Sequence, residues 1–395
     1  MFSRRTDWKL SENAYTIALR ARQQSGGRIL DLTASNPTTC GFRYDEAAIF
    51  AALRSPAALQ YDPDPRGLIS ARSAVAAYYR EMSPGVEVDL EKLILTTGTS
   101  EAYSFLFRLL CEPGDEIVVA QPSYPLFEFL ATIQDVSLRP FRLIYDHGWQ
   151  IDFHALERAI TARAKAILIV HPNNPTGHFI RRDEAEKLES ICTQRGLALV
   201  VDEVFLDYRF PAVAPATDLH GTFAASTRAL TFALSGLSKI TALPQMKIGW
   251  IAASGPEALV RDALARLEVI SDTYLSLSTP LQNALPALLA ERRKMQPQLF
   301  RRIETNLRQL DAALARQKLV SRPEMEGGWY AVLRIPAIQS DEEFTIRLLE
   351  QHGVLVQPGH FYEFPGDGYV VVSLLAPTEE FEEGIRGLLA CVAGG

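Results

Sequence analysis

Short apolar runs recur along the middle of the chain, and segments whose apolar residues have helical spacing lie between them. Runs of this length that alternate with helices are typical of buried strands in a parallel sheet. The predicted strands are 93–96, 116–120, 138–144, 166–170, 198–201, 229–233 and 248–253. The predicted helices between them include 103–110, 152–161 and 182–194. The pattern therefore predicts an α/β fold, with a mostly parallel sheet flanked by helices.

The two ends of the chain show a different pattern. The N-terminal arm has a helical patch at 12–23 and a short strand at 29–32. After Pro280, helical spacing continues to about 317, with one apolar stripe that repeats every three or four residues. The strands predicted in the tail are 329–335, 354–357 and 369–375, separated by helices. The predicted domains are 46–285 for a large unit, and 1–45 together with 286–395 for a smaller α+β unit.

Composition narrows the class of protein. Hydrophobic residues make up 47% and charged residues 22% of the 395 positions, as in an ordinary soluble globular protein. The net charge of −7 offers no basic surface for nucleic acid or acidic membranes. We see no signal peptide in the first ten residues and no run long enough to span a membrane. The four cysteines and seven histidines are scattered, which favours reduced thiols in a cytoplasmic protein and argues against a metal site.

Polar residues stand where several of the predicted strands end. Thr99, Asn174, Asp202 and Lys239 each follow such a strand. Because the carboxyl ends of parallel strands gather at one crevice, we expect these four side chains to share it. The turn 97–102 runs directly into a helix, so its free backbone N–H groups form a ready anion site. An ordinary helix N-cap is the alternative interpretation of its hydroxyl residues.

The segment 234–250 contains a lysine in a suggestive setting. Lys239 follows a run of small and hydroxyl residues, and Lys247 stands eight positions later, just before an apolar strand. A lysine used for covalent chemistry must lose its proton, which requires a tight and partly dry pocket. Neighbouring hydroxyls and a further cation would suit a bound phosphate. The alternative is a surface loop, because pairs of serine and lysine are common.

Taken in order, these pieces resemble the fold-type I pyridoxal-phosphate aminotransferases of class I/II. The resemblance covers nearly the whole chain from Ser35-Asn36-Pro37 onwards. Its most specific parts are Asn173-Asn174-Pro175-Thr176-Gly177, Asp202-Glu203-Val204, and Ser238-Lys239 with Lys247 behind it. The three parts occur in the family's order and at plausible spacing. The resemblance implies a pyridoxal 5′-phosphate cofactor and transfer of an amino group between an L-amino acid and a 2-oxo acid.

The resemblance also implies roles for single residues. Lys239 would bind the cofactor aldehyde covalently and later move a proton between substrate and cofactor. Asp202 would keep the pyridine nitrogen protonated, so that the ring acts as an electron sink. The remaining implied cofactor contacts are Asn174 with the ring oxygen, Thr99, Ser100, Ser238 and Lys247 with the phosphate, and Tyr124 and Phe205 beside the ring. The implied substrate contacts are Ser35, Asn36 and Asn174. Tyr61 resembles the tyrosine that reaches the phosphate of a neighbouring subunit, which implies a homodimer.

Three positions depart from the family pattern. Lys247 stands where the family usually has arginine, and Phe205 stands where it usually has tyrosine. Val371 occupies the place of the arginine that binds the substrate carboxylate through two hydrogen bonds. Another cation would have to substitute, or the substrate is bound differently. The candidate cations are Arg43, Arg66 and Arg334.

Two other functions remain open at this point, because a fold and a cofactor do not fix a reaction. One is a β- or γ-lyase, cyclase or oxidase of amino acids on the same scaffold. This alternative stays open because Val371 stands where the family has its carboxylate-binding arginine. The other is a non-catalytic protein that binds the cofactor. The acidic net charge argues against a DNA-binding regulator of that kind.

Overall fold

The fold is described from a computed structural model that covers residues 1–8, 10–210, 218–275 and 277–394. Its strands are β1 (Leu30–Asp31), β2 (Leu93–Thr96), β3 (Glu116–Gln121), β4 (Ser137–Tyr145), β5 (Trp149–Ile151), β6 (Ala164–Val170), β7 (Ala198–Asp202), β8 (Thr231–Gly236), β9 (Gly249–Ser254), β10 (Tyr330–Arg334), β11 (Val354–Leu355), β12 (Gln357–Pro358) and β13 (Tyr369–Ser373). Its α-helices are α1 (Ala14–Gln24), α2 (Glu46–Leu53), α3 (Ile69–Met82), α4 (Thr99–Leu110), α5 (Phe127–Thr132), α6 (Phe153–Ala159), α7 (Arg182–Arg195), α8 (Leu237–Ile240), α9 (Glu257–Thr273), α10 (Thr279–Ala290), α11 (Arg292–Leu314), α12 (Asp341–His352) and α13 (Thr378–Ala393).

An eight-stranded sheet forms the centre of the molecule, with strand order β2-β9-β8-β7-β6-β3-β4-β5. Strands β8, β7, β6, β3 and β4 are parallel to one another, whereas β9 runs antiparallel to both β2 and β8, and β5 runs antiparallel to β4. The predicted α/β class with a mostly parallel sheet is therefore confirmed. The sequence pattern did not predict β5, because three residues are too few to show an alternation.

Helices cover both faces of this sheet, and the burial of alternate residues shows it directly. Val118 and Ala120 of β3 belong to one apolar cluster, while Ile117 and Val119 belong to another. Successive side chains of a strand point to opposite faces, so each face has its own core. The near-continuous apolar runs in the sequence follow from this double burial.

The arm and the C-terminal part pack together. Strand β1 pairs in parallel with β11, and Ser373 of β13 donates its backbone N–H to Leu32 at 2.7 Å. A second sheet has the order β10-β13-β12. The region predicted as one long helical stretch is two helices, α10 and α11, separated at Glu291. No helix in the described part of the chain is long and apolar enough to cross a membrane.

Candidate active site

Three of the four polar residues predicted to share a crevice follow neighbouring strands of the central sheet at their carboxyl ends. Asp202 ends β7 and pairs in register with Val170 of β6 on one side and with Leu234 of β8 on the other. Asn174 follows β6, and Lys239 lies in α8 directly after β8. The register therefore places the ends of these strands side by side, as the sequence pattern predicted.

The Asp202 carboxylate is buried and fixed by two donors. The Tyr103 hydroxyl of α4 donates to Oδ2 at 2.6 Å, and the Val204 N–H donates to Oδ1 at 3.0 Å. Burial raises the pKa of Asp202, while the two donors and the charge of Lys239 act in the opposite direction. A buried carboxylate is costly unless a cation or donors compensate it. The arrangement therefore suits a positively charged group placed against Asp202.

Lys239 is partly buried among aromatic side chains. Its Nζ lies 4.8 Å from the ring centre of Trp329 and 5.4 Å from that of Phe205. Burial lowers the pKa of Lys239 to about 8, although the charge of Asp202 acts in the opposite direction. Near neutral pH a useful fraction of the side chain is therefore the free amine, which is the nucleophilic form.

A cradle of backbone and hydroxyl groups lies beside Lys239. Helix α4 begins at Thr99 without a side-chain cap, so its first N–H groups are available to an anion. A Cβ on Gly249 would lie 2.8 Å from the Cα of Gly98, so the start of α4 packs directly against β9. Ser238 precedes the lysine, and Lys247 is exposed two residues before Gly249. Ser100 lies in the first turn of α4 and is also exposed.

The two asparagines after β6 have different environments. Asn173 accepts a hydrogen bond from the Thr176 hydroxyl at 2.8 Å and donates to the Pro122 carbonyl at 3.3 Å. These bonds stabilise the loop itself. Asn174 is buried, and its Oδ1 has no hydrogen-bond partner among the described residues. An unsatisfied buried amide is costly, so Asn174 is the member of the pair that is available to a ligand.

The other predicted contacts lie at varying distances from this centre. Tyr124 is partly buried, and burial together with the charge of Asp202 raises the pKa of its hydroxyl to about 12. Ser35 hydrogen-bonds to the Tyr330 hydroxyl, and the ring of Tyr330 contacts Phe205 at a centroid distance of 6.2 Å. The Asn36 carboxamide accepts the N–H of Thr38 and caps a short 3₁₀ turn. Tyr61 is exposed within this single chain.

Position 371 offers no charge. Val371 is fully buried in an apolar cluster and pairs with Val332 of β10. Of the candidate cations, the Arg66 guanidinium pairs with Glu268 at 2.7 Å, and Arg43 is exposed. Arg334 pairs with Tyr369, two residues along the strands from the Val332–Val371 pair, and lies on the same sheet face.

Two tyrosines contribute to the site although the sequence analysis did not single them out. Tyr103 fixes Asp202, and the Tyr208 hydroxyl donates to the Lys239 carbonyl at 2.7 Å. Tyr103 stands one helical turn after Thr99 and Tyr208 stands six residues after Asp202, so proximity to the motifs was the available signal.

The sequence matches one family model along most of its length. The model is described as "Aminotransferase class I and II" and covers residues 29–388. The glutamate-pyruvate aminotransferase AlaA of Haemophilus influenzae is 26% identical over 379 residues, which is 94% of this chain and 92% of that protein. The tyrosine aminotransferase of Mus musculus is 26% identical over 324 residues, which is 78% of this chain and 68% of that protein.

Solved structures show the same fold. The alanine aminotransferase of Pyrococcus furiosus superimposes with a TM-score of 0.87 at 23% identity, and the match covers 100% of both chains. An aminotransferase of Escherichia coli gives a TM-score of 0.86 at 22% identity, covering 100% of this chain and 98% of that one.

Proposed function

Because this chain belongs to the class I and II aminotransferase family, it is a pyridoxal-phosphate-dependent transaminase, and we propose that Lys239, Asp202 and Asn174 are its central residues. The enzyme moves an amino group between an amino acid and a 2-oxo acid. The observation that carries the assignment of residues is the Lys239 amine, with its pKa lowered to about 8, in the same buried crevice as the Asp202 carboxylate.

The described residues fit the cofactor at three points. Buried Asn174 has an unpartnered Oδ1, and a half turn of this amide brings its NH2 donor to the same position. A Cβ built on Gly98 would meet only open space, so an anion has room beside the free N–H groups in the first turn of α4. The buried Asp202 carboxylate lacks a full counter-charge and would gain one from a protonated ring nitrogen. When bound, pyridoxal phosphate supplies an electron sink for the electrons that remain when a substrate C–H bond is broken.

Each residue then has a defined task. Lys239 binds the cofactor and moves a proton, for which a pKa near the working pH is favourable. Asp202, fixed by Tyr103, holds a proton on the ring nitrogen. Asn174 donates to the ring oxygen, and Tyr124 packs on the ring beside Phe205. The proposed phosphate contacts are the first turn of α4 with Thr99 and Ser100, together with Ser238 and Lys247.

For the substrate carboxylate we propose Arg334 among the three candidate arginines. It lies on the sheet face of Val371, its guanidinium carbon lies 5.7 Å from the ring centre of Tyr369, and it forms no ion pair with a carboxylate of the described residues. Arg66 is already neutralised by Glu268. Ser35, which reaches Tyr330, and Asn36 would line the same side of the site. Replacing Arg334 with Gln should raise the amino-acid concentration needed for half-maximal rate. An unchanged value would remove Arg334 from the substrate site.

We also propose the predicted domain boundaries, with 46–285 as the large unit and 1–45 plus 286–395 as the small one. The pairing of β1 with β11 supports grouping the arm with the C-terminal part. Residues 286–290 continue helix α10, so the exact boundary lies within a few residues of α11. The cytoplasm is the proposed location, because the four cysteines are unpaired thiols.

A homodimer is proposed because two adjacent stretches of the chain expose apolar side chains, which we call the apolar patch and define as Leu59, Tyr61, Ile69, Val269 and Leu275. Their exposed fractions are 92%, 69%, 61%, 67% and 69%. Ser271 donates its hydroxyl to the Pro65 carbonyl at 2.7 Å, so the two stretches of chain that carry the patch lie side by side. Clusters of exposed apolar residues of this kind mark interaction sites. Tyr61 in the patch would reach the phosphate of the second copy.

Two measurements test the proposed function. Borohydride reduction of the protein incubated with pyridoxal phosphate should fix the cofactor on the peptide that contains Lys239, and mass spectrometry reads the site. Single amino acids should then each be tested for release of the matching 2-oxo acid in the absence of an acceptor. Release of ammonia from a β-substituted amino acid would indicate a lyase, and an unlabelled Lys239 would remove the central assignment.

A further inference from the structure

Two aromatic rings enclose the amine of Lys239. Nζ lies 4.8 Å from the ring centre of Trp329 and 5.4 Å from that of Phe205. The two rings meet edge to face, with centroids 5.4 Å apart and planes at 76°. A ring within about 6 Å of an ammonium attracts it electrostatically. We call Phe205 and Trp329 the aromatic clamp.

Trp329 is fixed in place by the backbone around it. A Cβ on Gly327 would lie 2.3 Å from the Tyr208 carbonyl oxygen, so only glycine permits this approach. Gly328 has a φ of +86°, which favours glycine, and donates its N–H to the same carbonyl at 2.9 Å. The Trp329 carbonyl accepts the N–H of Leu374 at 2.7 Å. The indole is fully buried and therefore has a single available position.

Tyr208 joins the clamp to the main chain of the lysine. Its hydroxyl donates to the Lys239 carbonyl at 2.7 Å, and its ring contacts Trp329 at a centroid distance of 5.1 Å. One buried tyrosine thus bonds to the lysine backbone while it packs against the ring that faces the lysine amine. The lysine main chain and the indole ring therefore belong to one packed unit.

The electrostatic surroundings of the amine are simple. The charged group that acts on Lys239 is Asp202, and burial opposes it by favouring the neutral amine. Tyr208 and Ser238 adjoin the lysine at its main chain, Tyr208 through the bond from its hydroxyl to the Lys239 carbonyl. Two ring faces add an attraction that exists only while the amine is protonated.

We propose that Trp329 is a positioning residue of the reaction. Together with Phe205 it attracts the protonated Lys239 amine, and this attraction is lost when the amine is neutral. This inference rests on the proposed role of Lys239 as the reactive amine. The lysine must carry a proton during one part of the cycle and be a free nucleophile in another. A clamp that recognises only the charged form keeps the proton carrier in one place without stabilising the neutral amine.

The test measures the reactivity of Lys239 in the full chain without cofactor. Labelling with acetic anhydride is followed by mass spectrometry from pH 6 to pH 10, and the wild-type midpoint should lie at about 8. Trp329→Leu keeps the site apolar but removes a ring face, so the midpoint should fall by about half a pH unit. Trp329→Phe restores a ring and should return the midpoint towards the wild-type value.

The controls separate a positioning role from a structural one. Trp149→Leu removes another buried tryptophan, on β5, and should leave the midpoint unchanged. If Trp329→Leu does not fold, Phe205→Leu removes the second ring and should give a shift in the same direction. A midpoint that stays at the wild-type value in the folded ring-deletion variants would overturn the proposal. Because no cofactor is present, this result is independent of the borohydride experiment.

A kinetic readout on the holoenzyme provides a second check. In the half-reaction with a single amino acid, Trp329→Leu should lower the maximal rate about tenfold, because a misplaced proton carrier slows the chemical step. The amino-acid concentration for half-maximal rate should stay the same. A rise in that concentration at an unchanged rate would place Trp329 in substrate binding and contradict the positioning role.

Discussion

At the scale of single residues, the hydrogen bond from Tyr103 to Asp202 should govern cofactor affinity. The bond is 2.6 Å long and fully buried, and it links two residues that are 99 positions apart in the chain. Hydrogen bonds to charged groups contribute about 1.5–3 kcal/mol. Tyr103→Phe should therefore weaken pyridoxal phosphate binding by roughly tenfold to a hundredfold. Titration of the apoprotein with the cofactor, followed by absorbance, measures this change.

Tyr15→Phe is the matched control for that prediction. The Tyr15 hydroxyl also makes a buried hydrogen bond, to the Val356 carbonyl at 2.9 Å, but at the packing of α1 against the C-terminal part. Its loss should reduce stability and leave the cofactor affinity unchanged. Equal affinity in wild type and Tyr103→Phe would show that the Val204 N–H alone holds Asp202.

A second residue-scale prediction concerns Lys247, where the family usually has arginine. A lysine provides charge but not a fork of two donors, and its side chain is exposed here. Lys247→Ala should weaken cofactor binding by about tenfold, because one charge-assisted phosphate contact is lost. Lys247→Arg should bind at least as tightly as wild type. Identical affinities in all three proteins, measured by the same titration, would exclude Lys247 from the phosphate site.

The role of a residue was predictable where the residue lies in a sequence motif, and less so where the role depends on contacts between distant segments. Asp202, Asn174 and Lys239 follow strands at recognisable spacing. Tyr103 could not be assigned, because its hydrogen-bond partner comes from another part of the fold. A tyrosine on an amphipathic helix looks like a core residue until the sheet order places it against a strand end.

At the scale of elements, the loop between β6 and α7 depends on a buried charged group. His178 Nε2 lies 3.2 Å from a carboxylate oxygen of Glu184 in α7, and its Nδ1 lies 3.6 Å from a carboxylate oxygen of Glu326. Glu326 stands three residues before Trp329 in the chain. Glu326 also accepts the Phe179 N–H at 2.8 Å and forms an ion pair with Arg181. Burial lowers the pKa of His178, but the two carboxylates outweigh it and raise the pKa above its usual value.

This cluster predicts a pH-dependent stability. A histidine with a raised pKa in the folded state contributes stability that is complete below its unfolded value of about 6.5 and is lost as the pH rises through the folded value. His178→Gln should therefore cost about 3 kcal/mol at pH 5.5, because buried Glu184 loses its cation, whereas Glu326 keeps Arg181. The difference from wild type should shrink towards pH 9. Urea unfolding at several pH values measures it.

The exposed His154 on α6 supplies the control for the His178 experiment. His154→Gln should change the free energy of unfolding by less than about 0.5 kcal/mol at any pH. A wild-type advantage over His178→Gln that is the same at pH 5.5 and pH 9 would mean that His178 stabilises the loop by packing alone.

Most of the predicted elements match the structure to within a few residues, whereas helices α2 and α9 were not predicted. Strand β2 matches the predicted 93–96, and α7 differs by one residue at its end. Helix α4 begins at Thr99 rather than at 103, because the hydroxyl residues predicted as a turn form its first turn. Helices α10 and α11 were merged in the prediction because their apolar positions continue across Glu291 without a break.

At the scale of the whole molecule, the apolar patch around Tyr61 was not visible in the sequence, because Leu59 and Leu275 are more than two hundred positions apart. The sheet and helix packing bring them to one surface, where Arg66 and Glu268 form an ion pair at 2.7 Å beside the patch. Exposed leucines in isolation are normal, whereas a contiguous group is not. This surface is therefore the one at which a charge should be most disruptive.

The dimer prediction links the oligomeric state of the protein to its affinity for the cofactor. A double replacement, Leu59→Glu with Leu275→Glu, places charges in the patch and should convert the dimer to monomers at micromolar concentration, as measured by sedimentation velocity. If Tyr61 reaches the phosphate of the second copy, the monomer should also bind pyridoxal phosphate about tenfold more weakly, because one phosphate contact is lost with the partner. Ile338→Glu, at a residue that is 70% exposed outside the patch, should change neither property. A wild-type protein that sediments as a monomer, or a monomeric variant with unchanged cofactor affinity, would contradict the shared site.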